Sequence, residues 1–140
     1  QIKKYDHELL LERKRVFDQY SSAFSNYPWA QLPPQNLPGR NSSYHLYALR
    51  IKRISEAKRD ALIDEISKSG VAVNVHFIPM PMLSLFKGLG YDVKDFPVAY
   101  DNYSREISLP IYPQLNSQQV EYIINSVVNA YNKVIGDPAA

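Results

Sequence analysis

Hydrophobic positions along this chain recur with two different periods, and the switches between them divide it into elements. Ile2, Tyr5, Leu9, Val16, Phe17, Tyr20 and Phe24 fall at helical intervals, which predicts a long amphipathic helix over residues 2–24. Asn26-Tyr27-Pro28 ends it, and the proline-rich stretch 29–43 predicts an irregular connection. Residues 44–51 carry aromatic and aliphatic side chains on both faces, the pattern of a strand central in its sheet. Ser55 predicts the N-cap of a helix over 56–69, with Ala57, Ala61, Leu62 and Ile66 as its buried stripe. Lys58, Arg59, Asp60 and Asp64 fall on its solvent face, and Gly70 supplies the left-handed exit.

The stretch 71–79 is the best strand candidate. Val71, Val73, Val75 and Phe77 share one face by the two-residue period, and Ala72, Asn74, His76 and Ile78 share the other. A strand over 71–77 is expected to pair antiparallel with 44–51, the helix at 56–69 crossing between them on one face. Pro79 and Pro81 lack the N–H that a ladder needs and end the pairing. Residues 82–86 predict a short helix closed by Gly88 or Gly90, and Phe96-Pro97 opens a helix that runs to about Arg105. Pro110 and Pro113 restrict 107–113 to a short edge strand and a rigid turn. Asn116 with Gln119 forms a capping-box signature. Val120, Ile123, Ile124, Val127, Val128, Tyr131 and Ile135 mark the core stripe of a last helix, and 136–140 is a frayed tail. The order describes an α+β fold, a small and mostly antiparallel sheet with helices packed on one face.

Composition narrows the function classes. A length of 140 residues suits one domain with a real core. The net charge is only +2, and the densest basic group, Lys3, Lys4, Arg13, Lys14 and Arg15, is interleaved with Asp6, Glu8, Glu12 and Asp18. That is a solvated helix face and not a nucleic-acid footprint. There is no cysteine, which removes disulfides, thiolate zinc sites and cysteine nucleophiles, and suits a reducing compartment. Apolar runs are far too short for a membrane span and no signal peptide is evident, so a cytoplasmic location is expected. The chain opens at Gln1 already inside a helical pattern, as a piece of a longer protein would. Its eleven tyrosines exceed what so small a core can bury, which points to surfaces that meet something.

The catalytic inventory is thin. His7 lies among charges on the first helix, His45 falls in a predicted strand and His76 at a strand exit, and their spacings match no metal motif. G-x-S-x-G does not occur, and Gly88-Leu89-Gly90 is too short for a phosphate loop. The carboxylate pairs Glu12 with Asp18 and Asp60 with Asp64 fall on solvent faces, with no apolar pocket to separate their pKa values. His76 has two readings, a residue that meets a ligand or partner, or a hydrogen-bonded, half-buried histidine of the fold.

Four pieces in order carry a resemblance: Tyr44-His45-Leu46-Tyr47, Val75-His76-Phe77-Ile78-Pro79, Phe96-Pro97-Val98-Ala99 and 107–113 (Ile-Ser-Leu-Pro-Ile-Tyr-Pro). Their order and spacing resemble the C-terminal small domain of the DegT/DnrJ/StrS sugar aminotransferases. The opening Gln1 to Asp6 with Arg13 and Tyr20 is similar to the helix by which that family leaves its large domain. The resemblance covers nearly the whole chain. It implies the small domain of a fold-type I pyridoxal phosphate (PLP) enzyme, a homodimer in the usual case, that moves an amino group from an amino acid, commonly glutamate, onto a keto nucleotide sugar. It places His76 and Phe77 on the substrate side of the active site. It also implies that the PLP lysine, the carboxylate facing the pyridine nitrogen and the phosphate-binding residues belong to an N-terminal large domain, so that this chain alone is inactive and holds no cofactor. Many members have a histidine where this chain has Pro81, which removes one polar contact at the mouth. The competing reading is a stand-alone α+β binding or regulatory module without catalysis.

Overall fold

Val16, Phe17, Tyr20 and Phe24 are all buried on one side of helix α1 (Leu10–Phe24), which a single π-helical turn, Tyr5–Leu9, precedes. The computed structural model describes residues 5–35 and 38–136. Ile2, Lys3 and Lys4 at the start of the first predicted helix and residues 137–140 of the tail lie outside the described residues, and nothing is described of the Asp6 and His7 side chains. After α1 come β1 (Ala30–Gln31), β2 (Tyr47–Ile51), α2 (Glu56–Lys68), α3 (Ser84–Gly88), α4 (Pro97–Arg105), β3 (Glu106–Leu109) and α5 (Ser117–Val134).

Three strands form one antiparallel sheet in the order β1-β2-β3. Tyr47 pairs with Leu109 and Leu49 with Ile107, so their buried side chains enter the core side by side, while Ala48 pairs with Ser108 and Arg50 with Glu106 on the opposite face. Helices α1 and α2 both pack against α5. Aromatic rings knit the core: Phe17 meets Tyr47 edge-on at 4.8 Å, and Trp29 stacks on Tyr131 at 4.3 Å. Each such side chain contributes about 1.5–3 kcal/mol by leaving water. The buried Tyr20 hydroxyl donates to the Pro110 carbonyl at 2.8 Å, tying α1 to the turn after β3.

The helix ends follow local chemistry. The Ser55 side chain accepts from the Lys58 N–H at 3.3 Å, and Gly70 takes φ +74 at the exit of α2. Asn116 and Gln119 close a reciprocal capping box, at 2.9 and 3.0 Å, at the start of α5.

Two expectations are overturned. First, 71–77 is no regular strand and does not pair with 44–51. The place beside β2 belongs to β3, and the 71–77 segment touches β3's far side through one antiparallel bridge, Asn74 with Ser108. Val71 is buried, but Phe77, assigned to the same face, is 75% exposed. β3 itself stands at the edge of the three-stranded sheet, as expected of 107–113; all four of its residues are buried, and Pro110 and Pro113 fall after the ladder. Second, Arg59, assigned to the solvent face of α2, is 1% exposed, while Ala57 of the expected stripe is exposed. Its guanidinium donates to the carbonyls of Tyr103 and, at 3.2 Å, Glu106, and lies 4.8 Å from the centre of the Tyr103 ring. A charge buried this deeply persists because the carboxylates of Asp60, at 2.7 Å, and Glu56, at 3.6 Å, pair with it while backbone acceptors and an aromatic face replace its water. The strand at 44–51 is also shorter than expected: it begins at Tyr47, so His45 is an exposed residue ahead of it.

Candidate functional site

The face of the sheet opposite the aromatic core carries Ala48 and Arg50 from β2 and Glu106 and Ser108 from β3, because side chains alternate along each strand. Helix α4 and the 74–79 segment close over that face without filling it. They leave a cleft of about 360 Å³ whose polar lining is Arg50, His76, Asn102, Tyr103 and Glu106. Pro33, Pro34 and Pro79 form rigid apolar parts of its wall, and the Phe77 ring stands at it. A second groove, about 490 Å³, lies beside Tyr112, Leu115 and Tyr122, but among the described residues no charged one lines it. The first cleft holds the chemistry.

Glu106 is its most constrained group. The residue is 5% exposed. Ser108 Oγ donates to Oε1, and the backbone N–H of His76 donates to Oε2 at 3.0 Å. Burial pushes the carboxyl above its ordinary pKa, and the two hydrogen bonds and the nearby His76 and Arg59 only partly oppose that shift. Across the ladder, Arg50 donates to Asn102 Oδ1, while the Asn102 amide donates to the Val98 carbonyl within α4 at 2.8 Å. Helix α4 is itself fixed to α2 by the Tyr100 hydroxyl, which donates to Glu56 at 2.8 Å, and to β1 by Arg105, which bonds Gln31 at 3.1 Å.

His76 is half-buried at this cleft, and its ring meets the Phe77 ring edge-on at 4.7 Å. Its Nδ1 is buried and has no hydrogen-bond partner among the described residues. The structure thus brings together His76 and Phe77, the two residues singled out from sequence, and adds Arg50, Asn102, Tyr103 and Glu106, which sequence reasoning missed. One signal for Glu106 was available: alternation from Ile107 and Leu109 puts Glu106 and Ser108 together on the other face. His45 lies ahead of β2 and does not line the cleft. Among the described residues, no group of three or more His, Asp or Glu side chains could hold a metal ion, and no helix is long and apolar enough to cross a membrane.

Comparisons with known proteins agree with one another. A model of the DegT/DnrJ/EryC1/StrS aminotransferase family matches residues 1–128. The spore coat polysaccharide biosynthesis protein SpsC of Bacillus subtilis is 29% identical over 130 residues, 91% of this chain and 33% of that protein. The UDP-4-amino-4,6-dideoxy-N-acetyl-beta-L-altrosamine transaminase of Helicobacter pylori is 28% identical over 123 residues, 88% of this chain and 32% of that protein. Spr1654 of Streptococcus pneumoniae, assigned as a sugar aminotransferase and solved in its PMP form, superposes with a TM-score of 0.90 at 35% identity, over 96% of this chain and 33% of that one. The chain spans about a third of the length of these relatives.

PLP chemistry needs a lysine for the imine, a carboxylate at the ring nitrogen and a cradle for the phosphate, held together. Among the described residues no lysine lines the cleft, and both oxygens of the Glu106 carboxyl are engaged within the fold. By its own residues the cleft does not fit PLP.

Proposed function

Because this chain belongs to the DegT/DnrJ/EryC1/StrS aminotransferase family, we propose that it is the C-terminal small domain of a PLP-dependent enzyme that aminates a keto nucleotide sugar. In this reading, residues 1–140 form one domain, a preceding large domain holds the cofactor, and the enzyme works as a homodimer with an amino acid as donor. The cleft is a wall of the substrate side of the active site. The alignment with a nucleotide-sugar transaminase supports the substrate class.

One observation carries the proposal. From residue 72 to residue 103 no side chain is buried, although the stretch holds Phe77, Ile78, Met80, Leu85, Leu89 and Val98. The backbone there is nonetheless organised into turns, as where the Met82 N–H bonds the Pro79 carbonyl at 2.8 Å. Ordered chain that exposes this much apolar surface is a face made for another folded body.

The residues at the cleft then have distinct roles. The half-buried imidazole of His76, which lines the cleft, offers one hydrogen bond to a substrate hydroxyl or carbonyl. Phe77 presents an apolar ring to the sugar or base, and Arg50 adds positive charge that suits a nucleotide's phosphates. His76→Ala leaves the Glu106 contact intact, since that bond uses the backbone N–H, and Nδ1 has no partner to orphan. In a polypeptide that joins this chain to the large domain, His76→Ala is expected to lose roughly 0.5–1.5 kcal/mol of substrate binding, up to about tenfold in kcat/KM. The thermal stability of the 140-residue chain should stay nearly the same. Unchanged kinetics with a markedly less stable chain would assign His76 to the fold.

A further inference from the structure

Glu106 does more than occupy the cleft, because its carboxyl closes a ring of contacts around the segment that carries His76 and Phe77. Ser108 and Asn74 exchange both backbone bonds, Ser108 N–H to Asn74 carbonyl at 2.7 Å and Asn74 N–H to Ser108 carbonyl at 3.3 Å. Two residues further along each strand, Glu106 Oε2 takes the His76 N–H, the group that a continued ladder would have paired with backbone. The Ser108 hydroxyl steadies the other carboxyl oxygen. A side chain thus replaces the next rung of the sheet, and the backbone is free to leave the strand direction immediately after His76. That departure turns the Phe77 ring outward and leaves the His76 ring against the cleft wall.

We propose that Glu106 is a positioning residue, which fixes His76 and Phe77 at the mouth of the cleft and thereby sets how tightly the site takes its substrate. The substrate part of this inference rests on the function proposed above, whereas the positioning part concerns this chain alone. The groups that face the carboxyl are the His76 segment, Ser108 of its own strand, Arg50 across the ladder on β2, and Arg59 from α2, which binds the Glu106 carbonyl at 3.2 Å; Tyr103 of α4 lines the same cleft. None of them is a second carboxylate. The pKa of Glu106 lies above the ordinary carboxylate range, so the change from acid to carboxylate acceptor is visible at the His76 amide within an accessible pH range.

The test is amide NMR on the 140-residue chain. In the wild type, the His76 amide resonance should titrate with one step above the usual glutamate range, and Glu106→Gln should abolish that step. Glu106→Ala should speed hydrogen exchange of the His76 amide about tenfold or more relative to that of Ser108, as loss of a charge-assisted bond implies. Glu106→Gln keeps an oxygen at Oε2 and should restore protection. A His76 amide that does not titrate with Glu106, or that exchanges equally slowly in Glu106→Ala, would overturn the positioning role. In the longer polypeptide, Glu106→Ala should raise KM more than it lowers kcat, with rescue by Glu106→Gln. Coupling in NMR with no change in KM would overturn the claim on substrate affinity, while absence of any aminotransferase activity in the wild type would count against the function proposed above.

Discussion

At the scale of single residues, the informative side chains are those that break the rule of polar outside and apolar inside. Glu106 is an acid whose folded pKa is raised by burial, so the fold binds its proton more tightly than the unfolded chain does. The stability it contributes is greatest below the ordinary glutamate pKa of about 4.3 and is lost as pH rises through the higher folded value. Exposed Asp101 and half-buried Glu65, whose pKa values are lowered by Arg105 and by Lys133 and Lys68, have the opposite sign but are present in both partners of any comparison. Glu106→Gln should therefore match the wild type in melting temperature at acid pH and exceed it at neutral pH. Thermal melts of the two proteins across pH check this, and a constant difference between them would contradict it. The sequence reveals Glu106 only as a residue out of phase with Ile107 and Leu109. It does not reveal the 74–79 segment that covers it, because that cover is made by chain 30 residues away in sequence.

At the scale of elements, local signals were sufficient wherever a single turn decides the outcome. Ser55, Gly70 and the pair Asn116 and Gln119 stand where their chemistry predicts, and the proline at the first position of α4 does too. Pairing was not legible. The patterns of 44–51, 71–77 and 107–113 each admit a strand, and no local property says which two are neighbours. Tertiary contact decided it, with β3 taking the place beside β2. Arg59 was missed because charge was taken as exposure, although it shares a helical face with Leu62 and Ile66 at intervals of three and seven. Its role is to hold α2 to the junction of α4 and β3, where it satisfies the Tyr103 and Glu106 carbonyls. Arg59→Ala strands those acceptors and empties their surroundings, for an expected loss on the order of 3 kcal/mol in denaturant unfolding. Arg59→Lys should recover only part of it, since one ammonium cannot reproduce the fork and the stacked plane. A loss below ~1 kcal/mol for Arg59→Ala would show that the buried guanidinium adds little.

At the scale of the whole molecule, the two faces of the sheet divide the work. One carries the aromatic core against α1, α2 and α5, and the other carries the cleft and leads into the unburied stretch 72–103. The resemblance of four short motifs to one aminotransferase family was legible in the sequence, and the family match bears it out. The polar set of the cleft was not legible, because Arg50, Asn102 and Glu106 come from three separate elements and meet only in the fold. The central claim is that this chain supplies a wall of an active site whose cofactor is held elsewhere. Spectrophotometric titration with PLP tests it most directly, performed on the 140-residue chain and on the polypeptide that joins it to the proposed large domain. The account predicts slow, non-stoichiometric lysine adducts for the chain alone, against a saturable one-to-one complex with amino transfer to a keto nucleotide sugar for the longer polypeptide. A saturable one-to-one complex and amino transfer by the 140-residue chain alone would contradict it.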